Sequence, residues 1–462
     1  MELIIQEITN KIISNFERDL EKLIRERKDI SDFIKATKKS LDEVGIELVA
    51  EALEIVNEVY KKSKARKKHW TVKENGKKKT LTTIFGEVRY KRTYYRNNKT
   101  GEYSFLSDEA VGIKAHDKLD SSLKAKLIEE AIYTSYGRSG EEATEAVELT
   151  SQTVMNSIRE LGSVRNDAAE IKLEKRRVKT LYIEADEDHV SLQDKGKAEP
   201  KLVYVHEGKM KVSKERYKLI NPRYFSGVYS NSDELWTEVS DYIYEAYDLD
   251  RVEKIYLSGD GASWIKNGLG WIKGSIYVLD RYHLTKYVTQ ATAHMKHTTS
   301  IMWNYIDAGD KKSVKELLNV IISATESESK RGAVQEAKRY ILGNWKGIMR
   351  QYDSDYVGCS AEGHVSHILS SRLSSRPLGW CKTGVDQMSR LRAFVANGGD
   401  IYELVMGKKK AAVKEARHLR IDQEIIKKRK QKSSHETIRN ITILNIGKRT
   451  WAHDFLKSIR DA

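Results

Sequence analysis

The chain runs to 462 residues, enough for about three domains of roughly 150 residues each, so a sizeable core forms without staples and a disulfide miniprotein is excluded. It carries 82 Lys and Arg against 67 Asp and Glu, a formal charge of +15, with 32% of residues charged and 39% hydrophobic. Such an excess of positive charge speaks to partners more than to fold, and it favours a polyanion, nucleic acid before an anionic membrane surface, over a merely solvated basic surface.

Two cysteines, Cys359 and Cys381, are too few for a disulfide framework and fit a reducing compartment, so the cytoplasm is expected. The first residues lack a basic stretch followed by an apolar one and do not read as a signal peptide. No stretch approaches the roughly 18 uncharged apolar residues of a membrane span. Three prolines, Pro200, Pro222 and Pro377, leave room for long continuous elements.

Over residues 3–26, Ile5, Ile8, Ile12, Phe16, Leu20 and Leu23 recur at steps of three and four, one stripe of an amphipathic helix. A second helix is predicted over Leu41–Tyr60, with Ser40 and Glu43 as its capping box. These helices serve either as core or as a dimerisation face. From 61 to 80 the chain holds ten Lys and Arg against one acid, including Lys67 and Lys68. Val88, Tyr90, Arg92 and Tyr94 then alternate with Arg89, Lys91, Thr93 and Tyr95 before a turn at Asn97–Gly101, which predicts a β-hairpin. Interleaved basic and aromatic side chains there suit phosphate contact and base stacking, with Arg89, Lys91 and Arg92 as DNA ligands, or else form an ordinary solvated sheet.

Residues 121–162 read as helical and carry a helix-turn-helix layout. The first helix is expected over Ser139–Val147, the turn at Glu148–Thr150 and the second helix over Ser151–Leu161, with Val154 and Ile158 inward. Gln152, Thr153 and Asn156 would then meet base edges, although many helical hairpins share this spacing without touching DNA. Five β-rich runs follow between 177 and 283, with a helix after the third. Three antiparallel strands, a helix, a strand, a short helix and a strand form the order of a ribonuclease-H-like α/β core. From His283 to about Asp353 the pattern is helical and reads as an insertion. Residues 408–432 hold eleven Lys and Arg against three acids, a basic helical C-terminus.

Three strand-like runs end in acids: Asp186, Asp260 and Asp280. Strand ends in α/β sheets form the functional edge, and acids gathered there repel one another unless cations neutralise them. Oxygen-only ligands suit Mg²⁺ or Mn²⁺, and two such ions serve phosphodiester displacement. Asp186 stands among Glu184, Glu187 and Asp188, so its assignment rests on register: with Ile183 and Ala185 on one face, Asp186 shares the other with Glu184. Glycines beside Asp260 allow close approach. Glu362 follows a plausible cap at Ser360 and opens a helix, where the dipole alone also favours an acid. A zinc site of Cys359, His364, His367 and Cys381 matches no common spacing.

Asp186 in IEADEDHV, Asp260 in YLSGDGASWI, the Asp280-Arg-Tyr-His283 element about 20 residues later, and Glu362 in CSAEGHVSHILSSRLSSRPLGW together resemble bacterial insertion-sequence transposases of the DDE class. Within that class the chain resembles the Mutator-like branch and its ISLre-type family, long catalogued as an uncharacterised protein family. The three acids stand 74 and 102 residues apart, and the resemblance spans essentially the whole chain. It implies an RNase H-like core with Asp186, Asp260 and Glu362 as catalytic ligands of two Mg²⁺ or Mn²⁺ ions, cutting and joining double-stranded DNA at terminal inverted repeats. It implies supporting roles for Asp280 and His283, and a homodimer or higher multimer on DNA. Arg372 and Arg376 are candidates for phosphate contact. The expected layout is an N-terminal helical region (1–70), a basic β segment (71–115), a helix-turn-helix-like region (116–170), a core in two parts (171–290 and 354–405) around a helical insertion (291–353), and the basic C-terminal region (406–462). The alternatives are a non-catalytic DNA-binding regulator or domesticated transposase, and an RNase H-like nuclease or resolvase.

Overall fold

The computed structural model describes residues 2–170, 174–214, 217–375 and 379–411. The chain divides into a unit of residues 1–405 and a second of 406–462, of which only 406–411, helical, lie among the described residues. Most of the expected basic C-terminal helix therefore lies outside them.

Helices α1 (Glu2–Arg25) and α2 (Ile30–Lys62) form an antiparallel hairpin. Asp29 caps α2, its carboxylate accepting the Ser31 N–H at 2.8 Å. The helix thus starts eleven residues before Leu41, and Ser40 is no cap. It is buried inside α2, where its hydroxyl donates to Asp19 of α1 at 3.1 Å.

The short basic helix α3 (Lys64–His69) leads into β1 (Trp70–Thr83), which pairs antiparallel with β2 (Gly86–Asn97). The partner of the aromatic strand is therefore the basic run before it, and the turn at 97–101 adds only the two-residue β3 (Tyr103–Ser104). Leu81, Val88 and Tyr90 pack against Ile46, Val49 and Leu53 of α2. Arg92 is buried as well: it ion-pairs with Asp108 of α4 (Leu106–Ala110) and stacks on Phe105. This corrects its expected phosphate contact, because a paired and stacked guanidinium is not available to DNA.

Helices α5 (Ser121–Tyr133), α6 (Tyr136–Glu142) and α7 (Ser151–Leu161) share a core through Leu123, Leu127, Ile128, Val154 and Ile158. The second helix of the expected motif falls where predicted. The first starts early, at Tyr136, where Ser135 caps it, and ends at Glu142, near where Gly140 abuts Leu149, whose carbonyl oxygen would sit 1.9 Å from an added Cβ.

The central sheet has the strand order β10-β7-β4-β11-β12. β4 (Thr180–Glu187) lies in the middle, and after the two-residue β5 (Val190–Ser191) and β6 (Lys197–Ala198) come β7 (Lys201–His206), β8 (Lys209–Lys211), β9 (Tyr217–Leu219) and β10 (Arg223–Gly227). β7 runs antiparallel to both β4 and β10, whereas β11 (Lys254–Gly259) and β12 (Ser275–Leu279) run parallel with β4. Leu181, Ile183 and Ala185 face a core closed by α8 (Ser232–Ala246) and α9 (Ser263–Trp271). The alternate residues, Tyr182, Glu184 and Asp186, look to the other face, as the register argument requires.

Five helices follow β12: α10 (Arg281–Thr292), α11 (His297–Asp307), α12 (Lys311–Ala324), α13 (Glu328–Gly343) and α14 (Trp345–Met349). They enclose their own core of Leu284, Met302, Leu318 and Ile341. The chain returns as a strap over residues 353–360 that turns at 354–355, then forms α15 (Ala361–Val365), a π turn, α16 (Ser371–Leu373) and α17 (Lys382–Ala396). Leu369, Met388 and Leu391 join the core beneath α5 and α7. Among the described residues no helix is long and apolar enough to cross a membrane.

Candidate functional site

Three neighbouring parallel strands each end in an acid on the same edge of the sheet. Asp186 lies at the end of β4, Asp260 directly after β11 and Asp280 directly after β12. Two glycines permit this crowding. At Gly259 an added Cβ would lie 2.7 Å from the Ala185 carbonyl oxygen, so only glycine lets β11 approach β4 that closely. Gly261 takes φ +91°, turning the chain so that Asp260 Oδ1 accepts the Ala262 N–H at 2.8 Å. Asp280 caps α10 through the His283 N–H at 2.8 Å, and its second oxygen meets His283 Nδ1 at 2.6 Å.

The fourth acid comes from the far side of the insertion. Sheet tyrosines hold the strap: Tyr182 donates to the Asp355 carbonyl, Tyr256 to the Asp355 carboxylate at 2.9 Å, and Tyr356 meets Ser258 at 3.0 Å. The strap ends on Glu184, which accepts Ser360 Oγ at 3.0 Å and the Ser360 N–H, and is also bonded by Tyr204 and by His206 Nε2 at 3.0 Å. Glu362 follows two residues later, exposed in the first turn of α15. Burial opposes ionisation of Glu184, yet the His206 bond, the Lys209 charge and the Tyr204 bond hold its carboxyl down to about 2.

Asp186 behaves in the opposite way. Burial pushes its carboxyl up to about 7; the charges of Asp260 and Glu362 add to the rise, while the Glu187 N–H and the charge of His283 oppose it. His283 is raised despite burial by its bond and charge contact with Asp280 and by the charges of Asp186 and Asp260. Asp186, Asp260, Glu362 and the Asp280–His283 pair therefore share one electrostatic environment. The insertion reaches it too: Tyr340 of α13 donates to the Asp260 carbonyl, and Asn344 receives Lys266 at 2.9 Å. Among the described residues, the candidate ligand group drawn within 4.8 Å is Glu187, His189 and Glu199, at and after the end of β4, with Glu187 already paired to Lys201 at 3.0 Å. The Asp186, Asp260 and Glu362 oxygens are spread more widely.

The other expected contacts divide by exposure. Lys67, Lys68, Arg89, Lys91, Gln152 and Asn156 are exposed, with Gln152 bonded to Asn156 at 2.9 Å, and Thr153 is half-buried beside its cap, Thr150. Arg372 is buried, its Nε donating to the Ala131 carbonyl at 2.8 Å and its guanidinium stacked between Tyr136 and Trp380. That packing corrects its expected phosphate contact. Arg376 lies outside the described residues. Residue patterns alone missed Glu184, Ser360 and Tyr340. For Glu184, its shared face with Asp186 was the available signal.

Fold and site together define an α/β protein with acids converging on the carboxyl edge of a mixed sheet. The chain belongs to the uncharacterised protein family UPF0236, whose model matches residues 23–410. A UPF0236 protein of Caldanaerobacter subterraneus subsp. tengcongensis, whose name joins eleven locus designations, is 42% identical over 97% of this chain and 96% of its own. A UPF0236 protein in the vanSb 3′ region of Streptococcus gallolyticus is 31% identical over 69% of this chain and 72% of its own. A cryoEM structure of the simian T-cell lymphotropic virus intasome in complex with PP2A regulatory subunit B56 gamma is 12% identical over 47% of this chain and 68% of that one, with a TM-score of 0.15, too slight a likeness to bear on the fold.

Proposed function

We propose that this protein is a DDE-class DNA transposase of an insertion sequence, with an RNase H-like core that uses Asp186, Asp260 and Glu362 for strand cleavage and strand transfer at terminal inverted repeats. The observation that carries the reading is the delivery of Asp186 and Asp260 by adjacent parallel strand ends, with Glu362 bearing on the same buried charge. The strand order, with β7 and β10 antiparallel and β11 and β12 parallel to β4, supports the RNase H-like core.

The donor set is all carboxylate oxygen, which suits Mg²⁺ or Mn²⁺. Such ions, when bound, supply Lewis-acid activation of a water or 3′-hydroxyl and stabilise the leaving oxygen. Asp186 is the acid whose buried charge a cation relieves most. Asp280 fixes the His283 ring and holds a proton on Nδ1, so that Nε2 faces away from the pair. Glu184 and the tyrosines under the strap position Glu362.

The exposed face of the basic hairpin supplies backbone binding. Lys78 and Lys91 are cross-strand partners, a like-charge pairing that a phosphate backbone relieves. The eleven locus designations joined in one relative's name fit a gene that copies itself within a genome.

The test is incubation of the purified chain with Mg²⁺ or Mn²⁺ and DNA carrying the inverted repeats that flank its gene. Nicked and joined products are expected from the wild type, and none from Asp260→Ala, which binds the same DNA equally well. Unchanged strand transfer in that variant overturns the reading, and binding without cleavage by the wild type favours a non-catalytic regulator.

A further inference from the structure

The α1–α2 hairpin is packed in an inverted sense. Its inner contact is polar: Asp19 and Ser40 bond each other, and Asn15 is buried with its Nδ2 unpartnered. Val44 and the edge-on Phe16–Phe33 pair add an apolar contact beside it, but several large apolar residues face out. On α2, Ile30, Ile34, Leu41 and Leu48 follow one another at steps of four, seven and seven, a straight stripe with the spacing of a coiled-coil seam. On α1, Ile12 and Phe16 border the same side, and with Leu41 and Val44 they rim a groove of about 90 Å³ that Asn15, Asp19, Thr37 and Ser40 also line.

We propose that this face is a homodimer interface, in which the Ile34–Leu48 ridge of one chain enters the Ile12–Leu41 groove of a second copy and the reverse contact forms by two-fold symmetry. Three observations select a second copy as the occupant. Ridge and groove lie side by side on one face, as an isologous contact requires. Eight large apolar side chains between Ile12 and Leu48 are 41–67% exposed. At roughly 100 Å² each, they offer on the order of 800 Å², the area that one partner contributes to a standard stable interface. Charge excludes the polyanion for which the rest of the chain is suited: residues 2–62 hold 14 acids and 11 Lys and Arg in a chain of +15. The inference stands on α1 and α2 alone and does not depend on the chemistry at the sheet edge.

The test uses the full chain without DNA, at micromolar concentration and elevated salt. Sedimentation velocity is expected to give a dimer for the wild type and a monomer with an unchanged circular dichroism spectrum for the Ile34→Glu/Leu41→Glu double variant. In a Cys381→Ser background, mild oxidation of Leu41→Cys should give a covalent dimer. Leu41 lies near the middle of the stripe and meets its own copy whether the helices run parallel or antiparallel. Lys39→Cys, on the opposite side of α2, should not cross-link. A monomeric wild type, a dimeric double variant, or equal cross-linking at 39 and 41 overturns the proposal.

Discussion

The Ser360 hydroxyl donates to Glu184 Oε2 at 3.0 Å, joining the middle strand of the sheet to the turn that opens the Glu362 helix across 176 residues of sequence. Glu184 is buried and ionised, with His206 and Tyr204 completing its shell. Its carboxyl is lowered from the ordinary 4.5 to about 2, which favours the folded state by about 3 kcal/mol. A lowered acid contributes stability that is present above its unfolded value and lost as pH falls toward its folded one. Urea unfolding should therefore find Glu184→Gln about 3 kcal/mol less stable than wild type at pH 7, with the gap closing between pH 4.5 and 2. A gap that ignores pH would sink this account.

Asp186 is raised to about 7, so a cation binding there displaces a proton. Calorimetric titration with Mn²⁺ in buffers of different ionisation enthalpy should show proton release at pH 6 and almost none at pH 9. A raised acid stabilises the fold below its unfolded value, and that contribution is lost as pH rises toward 7. In the metal-free protein, Asp186→Asn should accordingly melt higher than wild type at pH 8 and lose that advantage near pH 4. No proton release at pH 6 refutes the buried-acid description.

The exposed lysines and the buried arginine of the β1–β2 hairpin should behave differently. Replacing Lys78 and Lys91 by Ala should weaken DNA binding and reduce the slope of log affinity against log salt by about 2, one unit for each phosphate contact. Arg92→Ala should leave that slope alone and cost about 3 kcal/mol of stability, because it strands Asp108 in a buried site. Filter binding across a salt series, read beside melting curves, separates the two.

Gly259→Ala should lower stability by about 1–3 kcal/mol and reduce Mn²⁺ affinity at least tenfold, since the new methyl pushes β11 away from β4 and parts Asp186 from Asp260. Gly270→Ala in α9, where an added Cβ meets nothing within 4 Å, is the matched control and should change neither. Equal metal affinity in both variants would count against a site shared between these strands.

What was legible in the chain was local. The alternation of Ile183 and Ala185 with Glu184 and Asp186 placed the acid on the open face of β4, and Thr150 before Ser151 marked the start of α7. What escaped was tertiary. Ser40 reads as a cap because its partner, Asp19, belongs to another helix. The end of α6 lies near where Gly140 meets the Leu149 carbonyl. Arg92 and Arg372 read as surface cations because Asp108 and Ala131, which hold them inside, are distant in sequence. Glu184 reads as one more acid until His206 and Ser360 arrive beside it.

The helical insertion leaves the sheet at Asp280 and comes back at the strap, with about 70 residues between. As a flexible tether of that length it would cost about 4 kcal/mol of closure entropy to bring Glu362 to the strand ends. Folded around Leu284, Met302, Leu318 and Ile341, it becomes a rigid clip with one arm on Asp260 through Tyr340 and the other on Glu362 through the strap. The bundle's length can therefore drift while its two feet stay put, and local melting of the bundle alone would loosen two of the three acids together.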